Sequence, residues 1–414
     1  MLQSPPLKST QVSQNTRPLR IAYVAPYFGP TVLKERAIQG ASTSNRIKIE
    51  LICRLLRADS HEIDVISPAE VIDYRFKYYK GFREPDPFDP EVPVFYASSL
   101  PVRRVNGFWS SHSTLRIMKE RHRIAPYDVV ILFNVKQTHV PAGRYAFQQL
   151  KLPLILEYED DAFVDVTGVP HKGLIAAYDR SCYREIINNV SGCMGVSQHL
   201  LSQAPANVPK FLFRGLIGED IATAGQRATS ERQNIVLFSG SHVPSNGIAQ
   251  LIEAWSLANI RDWELHITGQ GRLTEELRRM AENKPGIVFH GLVDRSELVR
   301  LMSSAKIGIN PHAVSQVPGN VFAFKIIEYL GAGAHVITTP MGAIEADLER
   351  GITFMPENSP ATIAKTLVDV ISQRSYERTA APAAIAKYGP EAIRQSLNTL
   401  LRDAVKTGGK NGHQ

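Results

Sequence analysis

Asn320, Lys325 and Glu328 are residues on which a ligand chemistry can be written. They stand in V-P-G-N-V-F-A-F-K-I-I-E-Y-L-G-A-G-A-H-V-I-T-T, residues 317–339. Asn320 and Glu328 are separated by seven residues. Lys325 precedes Glu328 by three, a spacing that places both on one helix face. A loop, a helix start and a polar residue at each end suit an anion beside a polyhydroxylated ligand. The plain alternative is that Glu328 is a solvated helix residue.

A second concentration of chemistry ends the stretch L-P-L-I-L-E-Y-E-D-D, in Glu157, Glu159, Asp160 and Asp161. Strand alternation puts Glu157 and Glu159 on the same side. At the carboxyl end of a parallel strand such acids could bind sugar hydroxyls or a cation, or one could act as a base. Capping of the next helix by Asp160 or Asp161 is the structural alternative. Small-residue loops add places of close backbone approach: Gly40 between Tyr27 and Ser44, and Gly269 and Gly271 in T-G-Q-G. The G-x-G-x-x-G fingerprint is absent, so nothing supports a nicotinamide cofactor.

The elements that must carry these residues alternate. L-R-I-A-Y-V-A-P, a helix over 45–57 and H-E-I-D-V-I-S form a β-α-β unit. Y-D-V-V-I-L-F-N, the acid-ended strand, a helical stretch from Gly173 to Asn189, and G-C-M-G-V-S extend it. Residues 68–101 read as irregular loop and short helix. The pattern restarts with N-I-V-L-F-S-G-S and runs through W-E-L-H-I-T-G-Q-G, G-I-V-F-H-G, K-I-G-I-N-P-H and a strand at 335–338. The expected organisation is a disordered lead-in at 1–18, an N-terminal doubly wound α/β domain at 19–221 and a linker at 222–232. A second doubly wound α/β domain follows at 233–405, its last helices crossing back to the first, with a disordered tail at 406–414. Two such α/β domains would face each other across a cleft, with ligands at the carboxyl ends of both sheets.

Composition narrows the classes. The 43% hydrophobic and 21% charged content is that of an ordinary globular chain, and 414 residues allow two or three domains. No apolar run is long enough to span a membrane, and the polar N-terminus lacks the apolar core of a secretory signal. Cys53, Cys182 and Cys193 show no metal spacing and fit buried thiols in a reducing compartment. Cytoplasmic residence follows as the expectation. A net charge of +7 favours acidic ligands or an anionic membrane surface. No basic helix or aromatic motif of the nucleic-acid modules is present, so nucleic acid is not an expected partner. Residues 103–124 are basic and carry Phe108 and Trp109, which suits peripheral contact with the inner face of an anionic membrane; a solvated helix face is the plainer reading.

The ordered pieces F-S-G-S-H-V-P-S-N-G, L-H-I-T-G-Q-G, I-V-F-H-G-L-V, A-K-I-G-I-N-P and F-A-F-K-I-I-E-Y-L-G-A-G-A-H-V-I-T resemble the retaining glycosyltransferases of family 4, glycosyl transferases group 1. The likeness extends more loosely over residues 19–400 through R-I-A-Y-V-A-P, the Gly40 loop, Y-D-V-V and G-V-S-Q-H-L. It implies the GT-B fold, with 19–221 as a Rossmann-like acceptor domain and 233–405 as a Rossmann-like nucleotide-sugar domain, and transfer of a sugar, with retention, from a nucleotide-diphosphate sugar to a sugar or lipid-linked acceptor, in bacterial surface polysaccharide or glycolipid synthesis. It implies no metal and no cofactor beyond the donor co-substrate. By the resemblance Glu328 would bind the ribose and Lys325 a phosphate. Gly40, Gly240, Ser241, Asn246, Gly269, Leu292 and Phe322 would complete the donor site. Asn320 falls where the family has the first of two glutamates; Glu159 or Asp160 would contact the transferred sugar or acceptor as catalytic residues. Ser241 and Asn246 depart from the family's phosphate-gripping Arg and Lys, and Arg214 is a substitute. Those departures leave a non-catalytic GT-B binding protein as one alternative; a sugar-nucleotide epimerase of the same layout is another.

Overall fold

The computed structural model describes residues 17–38, 43–71, 76–86, 89–102, 105–165, 168–226 and 229–410. Gly40 lies outside the described residues. Eight strands make the first sheet: β1 (Arg20–Val24), β2 (Glu62–Ser67), β3 (Phe82–Pro85), β4 (Pro93–Tyr96), β5 (Val129–Phe133), β6 (Leu154–Tyr158), β7 (Gly192–Gly195) and β8 (Lys210–Leu212). Their order is β3-β4-β2-β1-β5-β6-β7-β8, parallel except for the β3–β4 pair. Six make the second: β9 (Gln233–Ser239), β10 (Glu264–Thr268), β11 (Ile287–Gly291), β12 (Ala305–Asn310), β13 (His335–Thr338) and β14 (Ile352–Phe354). Their order is β11-β10-β9-β12-β13-β14, all parallel. Helices cover both faces, so central strands such as V-V-I-L-F of β5 are buried throughout.

The stretch 68–101 departs from its sequence reading, because β3 and β4 extend the first sheet there. Pro85 and Pro93 pair across the edge. Proline is tolerated at a sheet edge but disguises a strand in the sequence. The stretch 222–232 is also ordered in part, by the end of the Glu219–Ala224 helix and a turn at Thr229–Glu231.

The Pro390–Lys410 helix packs on β6, β7 and β8 of the first sheet and on the Thr43–Ala58 helix. Arg394 Nη1 reaches Asp59 Oδ1 at 2.5 Å and Asn398 faces His61 Nε2 at 3.0 Å. The helix continues five residues into the stretch read as tail. Residues 411–414 are not described.

One apolar core runs from the first sheet through Phe213, Ile217 and Ile221 into Ile326, Ile327, Tyr329 and Leu330. A second fills the other face of the second sheet around Trp255, Leu251 and Leu367. Cys53, Cys182 and Cys193 are buried and free. No helix among the described residues is long and apolar enough to cross a membrane.

Candidate active site

The Lys325–Gly331 helix buries Ile326, Ile327, Tyr329 and Leu330 and leaves Lys325 and Glu328 on its partly open side. Tyr329 fixes it: the phenol oxygen accepts from the Ser239 amide at 2.7 Å, at the carboxyl end of β9. The helix has only seven residues, so its dipole is weak. Positive charge at its start therefore comes from Lys325.

The Lys325 ammonium rests 4.4 Å from the centre of the Phe238 ring. Among the described residues it has no ion-pair partner. Burial lowers its pKa to about 8, and Glu328 opposes that shift. Gly240 leaves the space: a Cβ there would sit 2.9 Å from Lys325 Nζ, and its φ of +147° suits glycine. The loop after β10 presses against the same glycine, since a Cβ on Gly269 would fall 2.0 Å from the Gly240 carbonyl oxygen. Two backbone turns and one unpaired cation thus meet at the ends of β9 and β10.

Glu328 Oε1 accepts from Arg295 Nη1 at 3.2 Å. Burial pushes its carboxyl up and Arg295 draws it down. Leu292 is exposed beyond β11. Ser241 is exposed, but its carbonyl is capped by Asn246 Nδ2 at 2.6 Å. The Asn246 amide is thereby turned back into its own loop. The Phe322 ring supports Arg214, whose guanidinium carbon lies 4.8 Å above it. Arg214 is 2% exposed and pairs with Glu345 at 3.3 Å, while its Nη1 has no hydrogen-bond partner among the described residues.

The acids of the first sheet are paired. Lys48 bridges Glu157 and Glu159, and Glu157 also accepts from the Tyr23 hydroxyl. Glu159 is 7% exposed. Burial lowers the Lys48 pKa against the opposing pull of Glu157. Asp160 is exposed at its rim and accepts from Asn134 Nδ2 at 3.0 Å. Asn134 Oδ1 in turn takes the amides of Glu159 at 2.7 Å and Asp160 at 3.2 Å. Asp161 accepts from Gln203 Nε2 and contacts His199 Nε2, both at 2.8 Å.

Asn320 joins the two sides. Its carbonyl accepts from the Asp161 amide at 3.1 Å and its Nδ2 donates to the Asp165 carbonyl at 3.0 Å. It is 1% exposed, so it works as a seam contact in this arrangement. Lys48 Nζ, 5.0 Å from the centre of the Phe324 ring, marks the same seam. Two surface hollows, of about 300 and 660 Å³, lie elsewhere, around Phe163 and Arg184 and around Pro209 and Ser396.

Of the sequence-expected residues, Lys325, Glu328, Gly240 and Gly269 converge on the second-sheet side. Glu159, Asp160 and Asn320 gather opposite. Arg295, Lys48, Asn134 and His139 were not singled out. Lys48 had a signal, since it falls on the apolar stripe with Ile52 and Leu55 at helical spacing. Asn134 ends a strand with φ of +53°, a conformation asparagine tolerates. His139 is 1% exposed, and burial, followed by Lys136, lowers its pKa to about 4. Its Nε2 has no hydrogen-bond partner among the described residues. Among those residues no group of three His, Cys, Asp or Glu side chains is arranged to hold a metal ion.

Residues 233–373 match the family model described as glycosyl transferases group 1. No curated protein sequence matches the chain. Among solved structures it is similar to sucrose-phosphate synthase from Thermosynechococcus elongatus, at 16% identity and TM-score 0.67 over 93% of this chain and 98% of that one. Anabaena HepE in complex with UDP and glucose aligns at 15% identity and TM-score 0.62, over 93% and 99%. The catalytic domain of starch synthase IV from Arabidopsis thaliana, bound to ADP and acarbose, aligns at 9% identity and TM-score 0.63, over 94% and 100%. At such identities the structural likeness carries the fold, GT-B, with two facing Rossmann-like sheets. Residues 233–373, which carry β9–β14, thus match the glycosyl transferases group 1 family, within a chain that has the GT-B fold.

Proposed function

We propose that the chain moves a sugar from a nucleoside-diphosphate sugar to an acceptor hydroxyl with retention of anomeric configuration. One observation carries the reading: a half-buried lysine, with no ion-pair partner among the described residues, stands at a two-glycine junction, three residues before a carboxylate of the same helix. Lys325 and the Gly240–Ser241 backbone meet the charge that builds on the departing diphosphate, in place of a metal ion. Glu328 accepts from the ribose hydroxyls. Asp160, exposed at the opposite rim and oriented by Asn134, addresses the transferred sugar or the acceptor hydroxyl. Glu159, spent on Lys48, supports that rim. The test is donor hydrolysis or transfer across nucleotide sugars, with Glu328→Ala as control. Turnover lost in that variant supports the reading; no turnover or donor binding by the wild type defeats it.

The acceptor in this reading is a surface glycan or glycolipid, met at the inner face of a bacterial membrane. The Asn106–Ile124 helix supports this with exposed Phe108 and Trp109 and exposed Arg116, Lys119 and Arg123, whereas Arg121 turns inward to Asp64 at 3.1 Å. Arg103 and Arg104 lie outside the described residues. Salt-sensitive binding to anionic liposomes checks it, and indifference to vesicle charge refutes it.

The Asn246 side chain favours a second reading, a binding protein that has lost its phosphate grip, because the amide turns onto Ser241. Ser241→Arg with Asn246→Lys discriminates. A large gain in nucleotide affinity from near zero supports the loss, and tight binding by the wild type rejects it.

A further inference from the structure

We infer that Arg295 is a positioning residue for the donor ribose, acting by holding one oxygen of Glu328 so that the other faces the ribose hydroxyls. The inference rests on the reading of Glu328 as the ribose ligand.

Arg295 opens the Arg295–Ser304 helix, just past β11. Asp294 caps that helix by accepting from the Glu297 amide at 2.9 Å, which fixes where the Arg295 side chain starts. The guanidinium then bridges two carboxylates. Nε donates to Asp220 Oδ2 at 2.8 Å and Nη2 to Asp220 Oδ1 at 3.1 Å. A bidentate pair of this kind fixes the plane of the guanidinium. Nη1 of the same plane donates to Glu328 Oε1 at 3.2 Å. Glu328 Oε2 makes no hydrogen bond among the described residues, and 24% of the side chain is exposed.

The arrangement has space made for it. A Cβ on Gly218 would fall 3.1 Å from Arg295 Nη2 and 2.4 Å from Asp220 Oδ1. Asp220 sits on the Glu219–Ala224 helix, which lies between the two sheets in sequence and packs on both the Arg295–Ser304 and Lys325–Gly331 helices. The aim of Glu328 is therefore set from the junction of the molecule. Lysine has the charge of arginine but no fork, and cannot hold both carboxylates in one plane. Arg295 also favours the ionised, accepting form of Glu328 against burial.

The test compares UDP, GDP and ADP with their 2′-deoxy forms by titration calorimetry, on wild type, Glu328→Gln, Arg295→Met, Arg295→Lys and Asp220→Asn. Melting curves confirm that each variant is folded. The wild type is expected to prefer the ribonucleotide of its best base by roughly tenfold or more. Arg295→Met is expected to bring that ratio close to one with little change for the deoxy form. Arg295→Lys and Asp220→Asn fall between, and Arg295→Lys carries the comparison if Arg295→Met does not fold. A ratio kept by the folded Arg295 variants but lost in Glu328→Gln overturns the inference and leaves the ribose reading standing. Equal losses for both forms would assign Arg295 to the phosphates or to the fold, and also overturn it. Absence of any ribose preference in the wild type removes the ribose reading and the inference together.

Discussion

The first-sheet side of the seam brings four carboxylates together at the carboxyl end of β6, and each has a partner. Glu157 and Glu159 share Lys48, Asp160 has Asn134, and Asp161 has Gln203 and His199. Among the described residues, the second-sheet side keeps Lys325 without an ion-pair partner and gives Glu328 one partner on one oxygen. Both sides place charge at strand ends, so position alone does not separate architecture from chemistry. The difference lies in what is left unsatisfied. Charges neutralised inside the fold build a rim, whereas a cation held open beside backbone turns is available to an anion.

The largest expected effect tests the paired side. Lys48→Met leaves two buried glutamates without their cation and is expected to cost about 3–5 kcal/mol in urea unfolding. Adding Glu159→Gln should recover part of that loss. A cost below about 1 kcal/mol would mean that the pairing does not hold the rim.

Next comes the open side. Lys325→Met is expected to weaken nucleoside diphosphate binding by roughly 10- to 100-fold, with little loss of stability, since Lys325 has no ion-pair partner among the described residues. The sign of its pH dependence follows from a pKa of about 8 in the free protein. The ammonium is charged below that value and neutral above it, so affinity should fall as pH rises past about 8. Titrations across that range should show the decline in the wild type and not in Lys325→Met. A wild-type profile as flat as the variant's would remove Lys325 from the phosphate site.

Two smaller effects sharpen the contrast. Asp160→Asn should lower transfer, read in a turnover assay, while leaving diphosphate affinity within about twofold, because the exposed carboxylate belongs to the opposite rim. Asn246→Ala should cost about 1 kcal/mol of stability or less and leave diphosphate affinity unchanged, because its amide is already bonded to the Ser241 carbonyl. A tenfold loss of affinity in Asn246→Ala would show that the loop rearranges to grip the ligand.

Local pattern made the repeated strands and the shared face of Lys325 and Glu328 legible in sequence. The 335–338 strand has the same bounds in the structure as in the sequence reading. Residues 82–96 were not legible, because Pro85 and Pro93 interrupt the strand signal at an edge where they are harmless. Arg295 was not legible for a different reason. Its two carboxylates lie 75 and 33 positions away, and only the fold brings them to one guanidinium. Asn320 has a contact that spacing could not show: its Nδ2 donates across the seam to the Asp165 carbonyl, while its Oδ1 has no hydrogen-bond partner among the described residues. The partner of Glu159 was equally illegible, since its neutralising lysine comes from a helix more than a hundred residues earlier.

The most direct measurement of the contrast is calorimetric titration of UDP, GDP and ADP into the wild type, Lys325→Met and Asp160→Asn. The expected result is one-to-one binding of at least one diphosphate to the wild type, kept in Asp160→Asn and largely lost in Lys325→Met. Binding that survives Lys325→Met but disappears in Asp160→Asn, or no binding to the wild type at millimolar concentration, would contradict the assignment of the two sides.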